Sequence, residues 1–289
     1  MPSFKGATFR GGFGYTLKRI CCVMEESSCN DCMLRTKCIY CLFFETKNNK
    51  EHNFLGFLEP PRPFALELPV DEKRVYQQGE TLEINILIFG NQVQFLPYIV
   101  LTFSELGRKG LGRTRVKYDL LSVETIYGET IYDAHTKTFC SRESTVKLSF
   151  DENIERIKEV KIKFLTPTRI KTEGRYTKDL SFATLTKAIL RRLAALFLFY
   201  ADRKLDCAFE EIIKEAERVS TKSSSLRWVD VERFSTRQKA RMKLGGVVGE
   251  VVYQGELTKF YPILKVGEYI HVGKNTTFGL GKYEIVEIN

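Results

Sequence analysis

Two short segments of this 289-residue chain repeat one another, and that repetition constrains the fold more than any other feature. FLPYI at 95–99 is echoed by FYPIL at 260–264. Each precedes a glycine-rich turn, GRKGLGR at 107–113 and GKNTTFGLGK at 273–282, and each turn feeds a strand that closes its half. A recurring helix–glycine loop–strand unit implies two halves of one architecture. The plainer alternative is a coincidence between two short apolar helices.

The patterning around the echo is mixed. In the first half a helix over 9–20 is entered through a Gly-Gly turn. Leu82, Ile84, Ile86 and Ile88 alternate with mostly polar neighbours, the period of a strand, and Phe95, Ile99, Phe103 and Leu106 then recur at helical spacing. A further strand is expected over 116–123. In the second half KEVKIKFLTP alternates as a strand that stops at its proline, and Leu185, Ile189, Leu193, Leu196 and Tyr200 form the strongest helical stripe in the chain. Strands follow over 226–234 and 246–253, then a short helix near 260–266 and a last strand at 283–288, with KSSSL near Ser223 as a loop. No low-complexity linker divides the halves, which are set at 1–144 and 145–289. Such halves, with non-adjacent strands joined by helices, fit an α+β protein of two tandem ferredoxin-like domains, each β-α-β-β-α-β.

Composition bounds the function classes. With 43% hydrophobic and 28% charged residues the chain is an ordinary globular protein and not a disordered one. Its 45 Lys+Arg against 36 Asp+Glu give a net charge of +9, which favours polyanionic partners through counterion release; a solvated basic surface accounts for it equally well. The most apolar run, AALFLFYA at 194–201, is far shorter than the roughly 20 residues of a membrane span. The N-terminal segment has no continuous apolar core of a secretory signal. A cytoplasmic protein without membrane contact is therefore expected, and in that compartment the eight cysteines are not a disulfide framework.

Six of those cysteines, Cys21, Cys22, Cys29, Cys32, Cys38 and Cys41, crowd into residues 21–41 as C-x2-C-x5-C-x2-C with a pair upstream. Thiolates packed this tightly repel unless a soft cation neutralises them, so bound metal is the direct reading. Structural zinc would take four of the six, and a [4Fe–4S] cluster fits C-x2-C-x5-C plus one remote cysteine. Either would close a loop that lacks a hydrophobic anchor. Buried free thiols are the alternative. Cys140 and Cys207 stand alone and read as packing residues.

In the glycine loop at 273–281, Gly273, Gly279 and Gly281 permit positive φ and close backbone approach, so amide groups can converge on a phosphate while Lys274 and Lys282 add charge. There is no G-K-[ST] ending and hence no nucleotide P-loop. A tight helix-to-strand connection without a ligand is the plainer reading.

Flanking segments carry a more specific likeness. FKGATFRGGFGYTLKR at 4–19, the cysteine cluster, GRKGLGRTRVKYDL at 107–120 and FLTPTRI at 164–170 are followed by RWVDVERFSTRQ, GGVVGEVVYQGEL and HVGKNTTFGLGKYEI. In this order the chain resembles the RAMP superfamily of CRISPR-associated proteins, and within it the precursor-crRNA processing endoribonucleases. The resemblance implies two ferredoxin-like domains across a basic cleft, with the C-terminal glycine loop against RNA. It also implies metal-independent cleavage in which the RNA's own 2′-hydroxyl attacks the adjacent phosphate. Relatives have a strand before the FKGATFRGGFG region, whereas this chain begins almost directly at it; the first sheet either lacks a strand or starts upstream.

Three histidines are available for acid or base work. His271 immediately precedes the glycine loop, and His52 lies where relatives often place a catalytic histidine. His135 fits no motif. The resemblance adds Tyr15, on the first helix, as a helper; a core tyrosine is its plainer role. Arg10, Arg233, Arg237, Lys274 and Lys282 are expected to contact RNA, because guanidinium groups match phosphate geometry and stack on unpaired bases. Among the cysteines the resemblance selects Cys22, Cys29, Cys32 and Cys38 as ligands for zinc or a [4Fe–4S] cluster, with no metal needed for cleavage. The partners expected are CRISPR repeat RNA, or crRNA, and other CRISPR effector subunits. A non-catalytic guide-RNA-binding subunit is the alternative function.

Overall fold

The computed structural model describes residues 1–2, 4–24, 28–47, 60–140, 145–146, 156–201, 203–235 and 240–289. His52 and Arg237 lie outside these residues. In chain order the first elements are α1 (Gly6–Cys21), α2 (Ile39–Phe44), β1 (Phe64–Glu67), β2 (Asn85–Ile88) and α3 (Leu96–Lys109), followed by β3 (Ser122–Glu124), β4 (Thr130–Asp133) and β5 (Thr138–Phe139). The rest comprises β6 (Glu159–Thr168), β7 (Lys171–Thr172), β8 (Arg175–Tyr176), α4 (Phe182–Tyr200), α5 (Phe209–Ala216), β9 (Ser220–Ser224), β10 (Arg227–Val229), β11 (Glu232–Ser235), β12 (Ala240–Lys243), β13 (Gly246–Gln254), α6 (Tyr261–Ile270) and β14 (Tyr283–Ile288). The protein is α+β. Among the described residues no helix is long and apolar enough to cross a membrane.

Two compact units result, one of Met1–Pro63 with Ile88–Leu148 and one of Phe64–Leu87 with Ser149–Asn289. The division is therefore not a single cut near residue 144. The segment carrying β1 joins the second unit because β1 packs on the turn around Thr276–Phe278.

In the first unit α1, α2 and α3 share an aromatic core. The Phe13 ring stacks on Phe103 at 5.2 Å between centroids and meets Phe44 edge-on at 5.3 Å. Glycines on α1 make this possible, since a Cβ at Gly14 would come within 2.7 Å of the Phe44 ring. The sheet here is the antiparallel meander β3-β4-β5. A second β-α-β-β-α-β sheet is not present among the described residues of this unit. The strand expected over 116–123 is confined to its last two residues and Glu124, as β3.

The second unit runs β6, α4 and α5, β9 and β10, β13, α6, β14, with the sheet ordered β14-β6-β13 and both β9 and β10 on the far edge of β13. All these pairings are antiparallel. This is a β-α-β-β-α-β succession whose second strand is split in two. Alternation along β6 buries Val160, Ile162 and Phe164 against Leu185 and Ile189 of α4 and Leu264 of α6, all at most 2% exposed. Buried tyrosines close the layer by donating to backbone carbonyls, Tyr253 to Leu180 at 2.7 Å and Tyr283 to Leu264 at 2.6 Å.

Pro167 does not end β6. The register against β13 shifts between Val247 and Gly249, and at such a bulge the missing proline N–H costs no ladder bond. The echo also has a structural counterpart. Both α3 and α6 are entered from a 3₁₀ turn, at Gly90–Phe95 and Thr258–Phe260, and both carry a proline in the first turn.

Candidate nucleic-acid interface

The loop after α6 is built from its own backbone. His271, the residue that ends α6, has φ 59, which turns its ring inward beneath the loop. The loop then closes on itself and on β6, with amide-to-carbonyl bonds Val272→Gly281 at 2.9 Å, Lys274→Arg169 at 2.9 Å and Gly281→Pro167 at 3.3 Å. A short turn at Thr276–Phe278 is capped by Gly279 in the left-handed region at φ 85. A Cβ at Gly279 would sit 2.5 Å from the Leu66 carbonyl of β1, so the loop backbone and β1 touch directly. Thr276 to Gly281 are buried, whereas Lys274 is exposed. The amides of Val272, Lys274 and Gly281 thus serve the protein's own carbonyls rather than an open phosphate cradle, and Lys274 is the loop's outward charge.

Beneath the loop lies an ion-pair network. His271 is 0% exposed. Its Nδ1 lies 3.1 Å from the Leu280 carbonyl and its Nε2 lies 3.0 Å from Glu67 Oε1. Both partners are acceptors, and only a ring carrying N–H on both nitrogens satisfies the two together. The second Glu67 oxygen accepts from Lys282 Nζ at 2.9 Å and from Asn85 Nδ2 at 3.1 Å. Burial alone would raise the Glu67 carboxyl; the hydrogen bonds from His271, Lys282 and Asn85 outweigh it and hold it at about 2.

These contacts revise the role expected of His271. It reaches no surface, so it holds the loop and does not touch a substrate. Lys282 likewise spends its charge on Glu67. Arg233, on β11, places its guanidinium 4.5 Å over the Phe278 ring, and burial lowers its pKa; it tethers the β11–β12 hairpin to the loop. Next to it Arg169 donates Nη1 to the Lys243 carbonyl at 2.6 Å and stacks 4.2 Å over Tyr176. Arg241 and Lys243, on β12, are exposed. In the first unit Tyr15 is 65% exposed, not in the core, with the Arg19 guanidinium 5.9 Å from its ring. Arg10 lies 5.0 Å over Phe44 and so packs on the aromatic cluster.

Glu67 was not singled out by any sequence pattern. It sits in FALELP, 204 residues from His271, and only the pairing of β1 with the loop brings the two together.

All six clustered cysteines are free thiols in the first unit, at the end of α1, in the following turns and at the start of α2. Burial and then the neighbouring Cys38 push Cys21 up to about 11, and burial with Cys38 and Cys29 pushes Cys41 up to about 12. Both are protonated at neutral pH and unsuited to nucleophilic work. Among the described residues no three His, Cys, Asp or Glu side chains stand together at coordinating separations. The four thiols expected as ligands, Cys22, Cys29, Cys32 and Cys38, are not brought into one contact group: Cys41 pairs with Cys38 and Cys29 instead.

Comparison with known proteins places this architecture. The family of CRISPR-associated endoribonuclease Cas6 matches residues 162–283, the region that contains the loop, and the N-terminal domain family AF_1859_N matches residues 1–144. An uncharacterized protein of Archaeoglobus fulgidus is 31% identical over 289 residues, covering 99% of this chain and 92% of the relative. Among solved structures, a Cas6 product complex aligns with TM-score 0.60 at 17% identity, covering 99% of this chain and 95% of that one. The Thermus thermophilus Cas6 aligns with TM-score 0.54 at 15% identity over 99% and 92%. A partial Cas6-RT-Cas1–Cas2 complex aligns with TM-score 0.53 at 18% identity over 86% of this chain and 41% of that one. At such identities the structures speak for the fold. This is a CRISPR-associated RNA-processing protein. The chain belongs to the Cas6 family.

Proposed function

We propose that the chain binds CRISPR repeat RNA and cuts the precursor into guide units without a catalytic metal. In this step a ribose 2′-oxygen forms a bond to the adjacent phosphorus and the bond from phosphorus to the 5′-oxygen breaks. A base takes the 2′ proton, an acid supplies one to the leaving oxygen, and the products carry a 2′,3′-cyclic phosphate and a 5′-hydroxyl. The observation that carries the reading is the glycine loop, locked by the His271–Glu67–Lys282 network inside the region that matches the Cas6 family. A fixed loop presents Lys274 and the basic β12 strand in one arrangement, which is what positioning a phosphate backbone requires. The acid and base roles fall to Tyr15 and His52; Tyr15 is exposed on α1.

A second reading, a guide-RNA-holding subunit without cleavage, is favoured by one observation: the histidine within the matched region is buried and committed to two hydrogen bonds. Incubating wild type, His271→Ala, His52→Ala and Tyr15→Phe with repeat RNA in EDTA separates the two. Cleavage by wild type is expected, with the rate falling about 100-fold or more in His52→Ala or Tyr15→Phe at unchanged affinity. His271→Ala is expected to lose RNA affinity together with thermal stability. RNA bound but intact in every sample selects the second reading.

A further inference from the structure

The cysteine segment of the first unit takes no part in the account so far, and its packing is unusual. Of the described residues between Val23 and Lys37, only Cys29, Cys32 and Arg35 are not exposed, and none is buried. Apolar side chains in this stretch point outward, with Val23 75% and Met33 82% exposed. What holds it is a set of turns and Arg35, whose guanidinium donates to the Cys29 and Glu45 carbonyls at 2.5 Å each. A surface excursion that turns its cysteines inward and its apolar residues outward has no hydrophobic reason to adopt one conformation.

The thiols themselves form a contiguous group. Cys41, buried in the first turn of α2, hydrogen-bonds the thiols of both Cys38 and Cys29, and Cys38 also neighbours Cys21, the last residue of α1. Cys38 is thus the hub joining two helix ends and the turn. Cys22 and Cys32 instead line a groove beside this group, with Val23, Met24, Leu34 and Tyr98.

We propose that Cys21, Cys29, Cys38 and Cys41 form a tetrathiolate site for one soft divalent ion of the zinc class, which pins the 22–37 excursion to α1 and α2. In tetrahedral coordination with bonds of about 2.3 Å, thiolate sulfurs lie about 3.8 Å apart, close to the spacing of hydrogen-bonded thiols. Small side-chain rotations therefore suffice to convert the group into ligands. A four-iron cubane interposes its own atoms and spreads its cysteines further. Ion binding displaces the thiol protons, and the attraction of four thiolates to one cation replaces the missing hydrophobic anchor.

Elemental analysis of the full chain, reconstituted with zinc under reducing conditions, tests this directly. One tightly held zinc per chain is expected, and cobalt substitution should give intense thiolate-to-metal absorption of a tetrahedral site. Cys29→Ser, Cys38→Ser and Cys41→Ser should each retain less than a tenth of the metal, whereas Cys22→Ser and Cys32→Ser should retain it. No bound metal in the wild-type chain overturns the site. Loss of metal in Cys32→Ser with retention in Cys21→Ser overturns the ligand set, and iron with inorganic sulfide overturns the single-ion reading. Because wild-type metal content decides the first question, a variant that fails to fold leaves the proposal exposed.

Discussion

Replacing Glu67 by Ala should lower the stability of the second unit by about 3 kcal/mol and weaken repeat-RNA binding at least tenfold. The carboxylate faces a fully buried His271 and the ammonium of Lys282, with its own side chain 12% exposed. Removing one member of such a group leaves a buried charge without its partner, which costs about 3–5 kcal/mol in a dry interior. Lys282, at 31% exposure, recovers part of that by turning to water. The pH dependence supplies an independent check. The folded carboxyl is held near 2 against an ordinary 4.5, so it binds fewer protons folded than unfolded. Its contribution is therefore complete above about pH 4.5 and is lost as pH falls toward 2; 2.5 units correspond to about 3 kcal/mol. Urea denaturation from pH 3 to 7 should show this slope in wild type, and Glu67→Gln should flatten it. Equal slopes in the two proteins would contradict the network.

Gly279→Ala should be the more damaging of two matched substitutions, costing about 2–4 kcal/mol and abolishing tight repeat-RNA binding. Gly279 has φ +85, and its added Cβ would meet the Leu66 carbonyl of β1, a backbone atom that cannot rotate away. Gly79 offers the control in the same unit, with φ +88 and nothing within 4 Å of an added Cβ. Gly79→Ala pays only the left-handed strain, about 1–2 kcal/mol. The difference between them isolates the contact between loop and β1. Thermal melts with RNA titrations of both variants measure it; equal losses would show that loop placement does not matter to RNA binding.

Much of the second unit was legible because its signals are strong and local. The stripe from Leu185 to Tyr200 is α4, and the alternation ending at Ile288 is β14, which spans Tyr283–Ile288. Other elements carry no such signal. Every residue of β9 is exposed, so Ser220–Ser224 has no alternation to betray it and reads as a loop. The stretch 226–234 reads as one strand but contributes to two sheets, β10 against β13 and β11 against β12. For α5 the amphipathic run FEEIIKEA was present and simply short. The glycine loop announced itself, yet its chemistry was misread in one respect. His271 beside a loop suggests an acid or base, whereas Glu67 arrives from β1 to bury it. No spacing rule connects residues paired only by tertiary structure.

The most direct measurement is the chemistry of the RNA ends after incubation with the protein at a chelator concentration that removes free divalent ions. Mass spectrometry of the fragments should find a 2′,3′-cyclic phosphate on one side of a single cut per repeat and a 5′-hydroxyl on the other. A requirement for added magnesium, with 3′-hydroxyl and 5′-phosphate ends, would contradict the account.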